Sequence, residues 1–155
     1  MNEDGPVSST RVRRTFAAPR ERVYRALTTL DQIAAWRFPS DMTCRIDHSE
    51  GTSFQVSLTY NEPGPKGKTT ARTDTYRGRF THLEPPEMVV EVDEFVTDDP
   101  LFQGAMTITI RLAEADGGTE LLAVHEGLPP AVTASDNEAG WSQALDRLAD
   151  LVEKA

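Results

Sequence analysis

The residues of this chain that could do acid–base chemistry are a few acids and one histidine on predicted strands. Asp93 and Glu94 are adjacent, and Glu126 follows His125. Paired carboxylates can exchange protons when burial separates their pKa values. Neighbouring strand residues point to opposite faces, so Asp93 and Glu94 cannot both face one pocket. We therefore favour a structural or ligand-orienting His125 over carboxylate catalysis, and we assign no catalytic residue.

Metal, nucleotide and thiol chemistry are poorly supported by the spacing of the remaining candidates. His48 and His82 are isolated from each other and from His125, and Cys44 is the only cysteine. The sequence has no Gly-rich phosphate loop after a strand and no G-x-S-x-G nucleophile elbow. Arg45 would point away from Cys44 across a strand, so it would not activate the thiol. We expect no metal and no cofactor.

The composition is that of an ordinary globular domain with an acidic surface. The chain has 155 residues, 38% of them hydrophobic, and a net charge of -9 from 16 basic and 25 acidic residues. This charge disfavours nucleic acid and anionic membrane surfaces as partners. No apolar run could span a bilayer, and the acidic N-terminus lacks a signal-peptide core. A lone cysteine fits a reducing compartment, so we predict a cytoplasmic protein.

The strongest structural pattern is an apolar stripe with helical spacing between residues 135 and 155. Ser135 and Glu138 form an S-x-x-E capping box that predicts the start of this helix. Gly140 would let the helix approach a strand or a short helix closely. The stripe consists of Trp141, Ala144, Leu145, Leu148, Leu151 and Val152.

Upstream, the pattern predicts mostly short strands. A strand over 10–16 precedes a helix with Pro19 at its first position, and Asp31 would cap a second short helix. Further strands are predicted over 43–48, 53–60, 72–83, 88–96, 105–112 and 119–125. Residues 1–8 form a predicted disordered tail, 61–70 a mobile loop, and 9–155 one domain. Hairpin connections imply an antiparallel sheet, and the last helix must bury its stripe on it.

Several motifs carry a resemblance to a known superfamily. START-like proteins of the SRPBCC superfamily begin with segments similar to Phe16-Ala-Ala-Pro19, Glu21-Arg-Val23-Tyr24, Ala26-Leu27-Thr28 and Trp36. The branch that the chain resembles most is named after the C-terminal domain of the activator of the ninety-kilodalton heat-shock chaperone's ATPase. Later similar segments are Gly78-Arg-Phe80, Glu84-Pro-Pro-Glu87, Gly118-Thr119, His125-Glu-Gly127-Leu128 and Gly140-Trp141.

The resemblance covers about residues 10 to 153 and implies an α+β helix-grip fold. Such a fold has a curved antiparallel sheet of six to seven strands, two short helices after the first strand, and a long C-terminal helix packed across the sheet. It also implies a cavity between sheet and helix. Strand alternation adds Val90 and Val92 or their neighbours, Ile110, Leu121 and Ala123 to the possible lining. The main candidates are Trp36, Phe54, Val56, Leu58, Tyr60, Tyr76, Phe80, Met106, Ile108, His125, Trp141 and Leu145.

The resemblance leaves three functions open. The first is non-catalytic binding of a small hydrophobic or amphipathic ligand, by a monomer or by a homodimer formed through Leu122 and Val124 on the sheet. The second is a polyketide cyclase or hydrolase-like enzyme that uses a polar pair such as Tyr76 with His125. The third is a chaperone-associated stress-response partner, although the activator has an extra N-terminal domain for which we expect no room before Thr10.

Overall fold

A computed structural model describes residues 9–39, 42–60 and 73–154, except for the side chain of Tyr60. The predicted tail over 1–8 and the predicted loop over 61–70 lie outside these residues. The elements in chain order are β1 (Ser9–Phe16), α1 (Arg20–Thr28), α2 (Leu30–Trp36), β2 (Met42–His48), β3 (Ser53–Tyr60), β4 (Thr73–Glu84), β5 (Met88–Phe95), β6 (Ala105–Ala115), β7 (Gly118–Glu126) and α3 (Ala134–Glu153).

The described strands form one antiparallel sheet in the order β1-β7-β6-β5-β4-β3-β2. Strands β2 to β7 follow one another as neighbours, and β1 closes the order by pairing with β7. Buried and exposed residues alternate along β4, β6 and β7, so one face of the sheet is covered and the other faces outward. The predicted α+β helix-grip fold is confirmed.

Two glycines at the β6–β7 hairpin allow β1 to reach its place beside β7. Gly117 has φ of 73°, in the left-handed region that the tight turn requires. A Cβ on Gly118 would lie 2.0 Å from the backbone oxygen of Phe16, so only glycine fits there. The end of β1 can therefore pack directly against the start of β7.

Helix α3 begins two residues earlier than its predicted capping box. Thr133 has extended backbone angles and is the N-cap, and its hydroxyl accepts a 3.2 Å hydrogen bond from the backbone N–H of Asp136. Ser135 already lies inside the helix, where a residue can no longer act as N-cap. The predicted Ser135–Glu138 box is therefore wrong.

The two short helices also begin one or two residues from their predicted starts. Pro19 is the extended residue before α1 rather than its first helical residue. Thr29 precedes α2 as its N-cap without a side-chain hydrogen bond, so the predicted Asp31 cap is wrong. Asp31 instead lies in the first turn, where its charge still suits the positive end of the helix dipole.

Helix α3 packs against β1, α1 and α2, and most of its buried side chains lie in its second half. Leu145, Leu148 and Val152 are buried there, together with Phe16 and Leu121. Apolar burial of this kind stabilises a fold by about 1.5–3 kcal/mol for each large side chain. This packing fixes where the other half of α3 lies relative to the sheet.

Candidate functional site

A cavity of about 440 Å³ lies beneath the first half of α3. Its floor comes from β3 to β7, one side from the end of α2, and its roof from α3. The residues that line it are Arg37, Phe38, Pro39, Leu58, Asp74, Tyr76, Asp93, Phe95, Met106, Ile108, His125, Val132, Asp136, Asn137, Gly140, Trp141, Gln143, Ala144 and Arg147. The lining therefore mixes apolar side chains with polar ones, and we call the polar group formed by Arg37, Asp93 and His125 the polar wall.

The sequence-predicted site residues fall into two groups. Those that line the cavity are Leu58, Tyr76, Met106, Ile108, His125 and Trp141. Those that are buried in the core without lining it are Trp36, Phe54, Val56, Phe80 and Leu145. The side chain of Tyr60 lies outside the described residues. Ligand contact by any of them stays a prediction.

Strand β5 presents acids, rather than valines, to the cavity side of the sheet. Val89, Glu91 and Asp93 are buried there, whereas Val90 and Val92 are only half-buried on the opposite face. Of the two sets left open by the sequence, the neighbours Val89, Glu91 and Asp93 therefore face the helix, and Val90 and Val92 do not. The signal was present in the sequence, because Glu91 and Asp93 share the two-residue period of Val89.

Glu91 can be buried because Arg37, at the end of α2, pairs with it. The two guanidinium Nη atoms donate to the two carboxylate oxygens at 3.3 and 3.4 Å, and the side chains are only 8% and 2% exposed. Burial alone would raise the pKa of Glu91, but the Arg37 charge and the hydrogen bonds from Asp93 and Arg37 outweigh it and lower that pKa. Sequence analysis missed both members of this pair.

Two indole rings enclose the guanidinium of Arg37. Its central carbon lies 4.8 Å from the centre of the Trp36 ring and 5.3 Å from that of Trp141. A cation over an aromatic face is attracted by the ring's negative quadrupole. Arg147 on α3 also donates to the backbone oxygen of Trp36 at 2.9 Å, which ties α2 to the roof.

Asp93 is a buried carboxyl that keeps its proton. Burial raises its pKa well above the ordinary value, and the negative charge of Glu91 and the hydrogen bond to it raise that pKa further. Gly78 makes room for Asp93, because a Cβ at that position would lie 2.5 Å from Asp93 Oδ1 and 2.6 Å from the ring of Phe54. Gly78 therefore admits two bulky neighbours that a side chain at this position would displace.

His125 is a neutral imidazole held by the roof helix. Its Nδ1 accepts a 2.9 Å hydrogen bond from the indole N–H of Trp141, so its own proton resides on Nε2. Burial, and then the charge of Arg37, lower the pKa of His125 to about 4. Trp141 thus contacts both the histidine and the guanidinium.

Three polar atoms in this wall have no hydrogen-bond partner within the described ranges. They are Arg37 Nε, Asp93 Oδ1 and His125 Nε2, and each is buried. Each belongs to a residue that lines the cavity. Buried polar groups in proteins are usually paired, so this concentration of unpaired atoms is unusual for a protein interior.

Two further side chains near this wall stay protonated. Burial, and then the charge of Asp93, raise the pKa of Tyr76 well above 10. Burial raises the pKa of Cys44 to about 11, which argues against a reactive thiolate. The polar wall therefore offers neutral hydrogen-bonding groups around one internal ion pair.

Gly140 has a different role from the expected one. Nothing lies within 4 Å of a Cβ built on it, so it does not permit a close helix approach. It lies on the cavity rim, in the exposed part of α3. The expectation of close packing at Gly140 is wrong, because the roof half of α3 stands away from its neighbours at this point.

The statements on metal binding and membrane spans concern residues 9–39, 42–60 and 73–154. Within them, no three histidine, cysteine or acidic side chains come together in a way that could hold a metal ion. None of the helices there combines the length and apolar character that a bilayer crossing requires.

Comparisons with known proteins match the chain to one family model and to solved structures of similar fold. A sequence model described as "Activator of Hsp90 ATPase homolog 1-like protein" matches residues 17–153. The crystal structure of protein CV1439 from Chromobacterium violaceum is 30% identical, with a TM-score of 0.83 over 96% of this chain and 99% of that one. A protein from Rhodobacter sphaeroides is 25% identical, with a TM-score of 0.73 over 91% and 89% of the two chains. No curated protein matches.

Proposed function

This chain belongs to the Activator of Hsp90 ATPase homolog 1-like family, and we propose that it binds a small amphipathic molecule beneath α3 without chemically changing it. The observation that carries the proposal is the cavity of about 440 Å³, whose lining combines apolar side chains with the polar wall. Ligand sites in proteins typically enclose roughly 300–1,000 Å³ and combine apolar walls with a few polar groups. A cytoplasmic location is part of the same proposal.

The apolar side chains of the lining favour a ligand with a hydrophobic body. Leu58, Phe95, Met106 and Ile108 line the cavity from the strands, and Trp141 lines it from α3. Each buried Å² of apolar ligand surface contributes about 25 cal/mol to binding before the cost of ordering the ligand. A flat aromatic or short aliphatic body of the cavity's size would gain most.

The direct test is a thermal-shift screen of lipids and aromatics, with mass spectrometry of molecules that co-purify with the native protein. A ligand at one hundred times its Kd stabilises the folded state by about 2.7 kcal/mol. For a domain of this size that raises Tm by roughly 5–10 °C. A screen with no shift and no co-purified molecule would contradict the proposal.

A cavity-filling variant makes the test specific to the site. Gly140→Phe adds a ring at the rim, and nothing lies within 4 Å of the Cβ that would carry it, so we expect the variant to abolish the shift while the protein stays folded. Ser142→Phe is the matched control, because Ser142 is exposed on the same helix and does not line the cavity. Equal losses in both variants would locate binding elsewhere.

A second candidate function, acid catalysis by a cyclase or hydrolase-like enzyme, is favoured by one observation. Asp93 is a protonated carboxyl in the cavity wall, and a carboxyl with a raised pKa can act as a general acid near neutral pH. Under this alternative, Asp93→Asn would abolish turnover of a bound molecule and retain its binding. Glu94→Gln, on the exposed face of the same strand, would change neither.

Association with a chaperone ATPase, to which the family description points, stays a prediction. A pull-down with purified chaperone would test it, because a specific complex should survive competition by excess unrelated protein.

A further inference from the structure

We propose that a second copy of this chain pairs with the free edge of β2, antiparallel and in one register, so that the two sheets become continuous. The partner is a second copy because this edge is complementary to itself about a two-fold axis through Ile46. The described residues of β2 are not among those that line the cavity, so the inference does not depend on ligand binding.

Strand β2 is an edge of the sheet. It pairs with β3 on one side only, in a register that sets Arg45 opposite Ser57 and Ile46 opposite Val56. An edge strand presents unpaired backbone N–H and C=O groups that another strand can take up. The inward-facing side chains of Cys44 and Ile46 are only half-buried, so apolar surface is also left open at this edge.

The backbone hydrogen bonds show which residues of β2 face the free edge, because bonded and non-bonded pairs alternate along an antiparallel ladder. The Ser49 N–H donates to the Ser53 oxygen at 2.8 Å, which places the bonded pairs at the odd-numbered residues of β2. The even-numbered residues then direct their N–H and C=O groups away from β3. Met42 agrees with this pattern, because its N–H donates to the Pro39 oxygen at 3.2 Å, outside the sheet.

The free backbone groups are centred on Ile46. In the part of the chain that the structure describes, Cys44, Ile46 and His48 have no backbone hydrogen-bond partner at this edge, whereas the Met42 N–H is already bonded. A two-fold axis through Ile46 pairs this residue with its own copy and Cys44 with the partner's His48. An axis through Cys44 would need the N–H of Met42, which is occupied.

The outward-facing charges favour the same axis. Arg45 and Asp47 are both exposed, and within one chain they form an ion pair of 3.0 Å. The axis through Ile46 sets Arg45 opposite the partner's Asp47, and by symmetry it does so twice. An axis through Arg45 or through Asp47 would instead place like charges directly opposite each other, which destabilises paired strands. The backbone pattern and the charges therefore select one register.

Sedimentation equilibrium of the wild type and of charge variants tests the interface. One strand edge buries little area, so we expect a reversible dimer that dissociates on dilution. Arg45→Asp and Asp47→Arg should each raise the dimer Kd at least about tenfold, and the double exchange should restore it to within about threefold. Arg79→Asp, at an exposed position of β4, is the control and should leave the Kd unchanged.

Two results of this experiment would contradict the inference. One is a wild-type chain that stays monomeric at every concentration tested. The other is a double exchange that associates no better than the single variants. Neither result bears on ligand binding in the cavity, which the thermal-shift screen measures separately.

Cysteine cross-linking tests the register. In a Cys44→Ser background, Ile46→Cys sets two thiols opposite each other with Cα atoms about 5.5 Å apart, a spacing at which disulfides form. In the wild type, Cys44 would be displaced from its own copy by roughly 14 Å along the strands, which is too far. Mild oxidation should therefore link the Ile46→Cys protein and leave the wild type unlinked.

Leu122→Cys in the same background tests the alternative dimer through the outward face of the sheet. We expect no link in this variant. Linkage through Leu122→Cys in place of Ile46→Cys would put the second copy on the sheet face, and linkage through the native Cys44 would show a different register. Either result overturns the inference.

A proline variant separates association from folding. The N–H of Ile46 points to the free edge, so Ile46→Pro removes an interchain donor and leaves the bonds between β2 and β3 in place. We expect a folded monomer. Arg45→Pro is the matched control, because it removes a bond to β3 and should lower Tm more than Ile46→Pro does. A dimer that persists in the folded Ile46→Pro protein would overturn the inference.

Discussion

The two halves of α3 carry one continuous apolar stripe, yet the second half is packed in the core and the first half lines the cavity. In the second half, Leu145, Leu148 and Val152 are buried, and α3 packs against β1 and the short helices. In the first half, Trp141 and Ala144 roof a cavity whose floor carries buried acids and a histidine. The same helical periodicity therefore produces close packing at one end of the helix and an open cavity at the other.

This difference indicates that the packed second half of α3 holds the first half in position over the cavity. Ala17 N–H donates to the Glu153 carboxylate at 2.9 Å, and Arg22 donates to the backbone oxygen of Leu151 at 3.2 Å. These contacts and the apolar burial fix the end of α3, so its beginning can stand over the cavity without filling it. Stability and ligand access are thus expected to respond to different residues.

The largest expected effect comes from truncation in the packed half. Leu148 is fully buried, so Leu148→Ala should lower the free energy of unfolding by about 2–5 kcal/mol, as measured by urea denaturation. Met106→Ala in the cavity wall should cost less, because part of the methionine already faces empty space. If both truncations cost the same, the distinction between the halves breaks down.

The second effect is a loss of stability in acid. It comes from His125 on β7, which accepts a hydrogen bond from Trp141 in the roof half of α3. The pKa of His125 is about 4 in the folded protein against 6.5 unfolded, so the unfolded chain binds the proton more readily. The contribution is complete above pH 6.5 and disappears as the pH falls to 4, a loss of up to about 3 kcal/mol. Urea denaturation across this range measures it.

The control for this titration is His125→Gln, whose side-chain oxygen can still accept from Trp141. Its unfolding free energy should fall less than that of the wild type between pH 6.5 and 4. Parallel pH curves for the two proteins would contradict the assignment of a neutral, buried His125.

The third effect is smaller and concerns the start of the roof. Thr133→Ala removes the hydroxyl that caps α3 and should cost about 1 kcal/mol. Ser135→Ala is the control, since Ser135 lies inside the helix and we expect little change or a slight gain from it. If Ser135→Ala proved the more damaging variant, the cap would be the one predicted from sequence.

The smallest effect is a gain. Gly140 is exposed within α3 and has open space where a Cβ would lie, so Gly140→Ala should stabilise the protein by about 0.8–1 kcal/mol. Ala139→Gly, the reverse change at the neighbouring exposed helix position, should destabilise it by a similar amount. A loss of stability in Gly140→Ala would mean that the roof half packs more tightly than the structure shows.

Much of the fold follows from local patterns. Strand alternation predicts Phe54, Val56 and Leu58 on the covered face, and helical spacing predicts Leu145 and Leu148 on the inner face of α3. Helix starts were less predictable, because Thr133 and Ser135 are both good capping residues and only backbone angles distinguish them. The site was less predictable still, since Arg37 and Glu91 are 54 residues apart and neither belongs to a motif.

The sequence by itself determined the period of each strand, the apolar stripe of α3 and the glycines of the turns, because these depend on neighbours along the chain. Only the tertiary structure decided that half of the stripe packs and half roofs a cavity. The same holds for the charges of the polar wall. Folding removes water from both groups. It also brings Glu91 beside Asp93, which raises the pKa of Asp93 further, and Arg37 near His125, which lowers the pKa of His125 further.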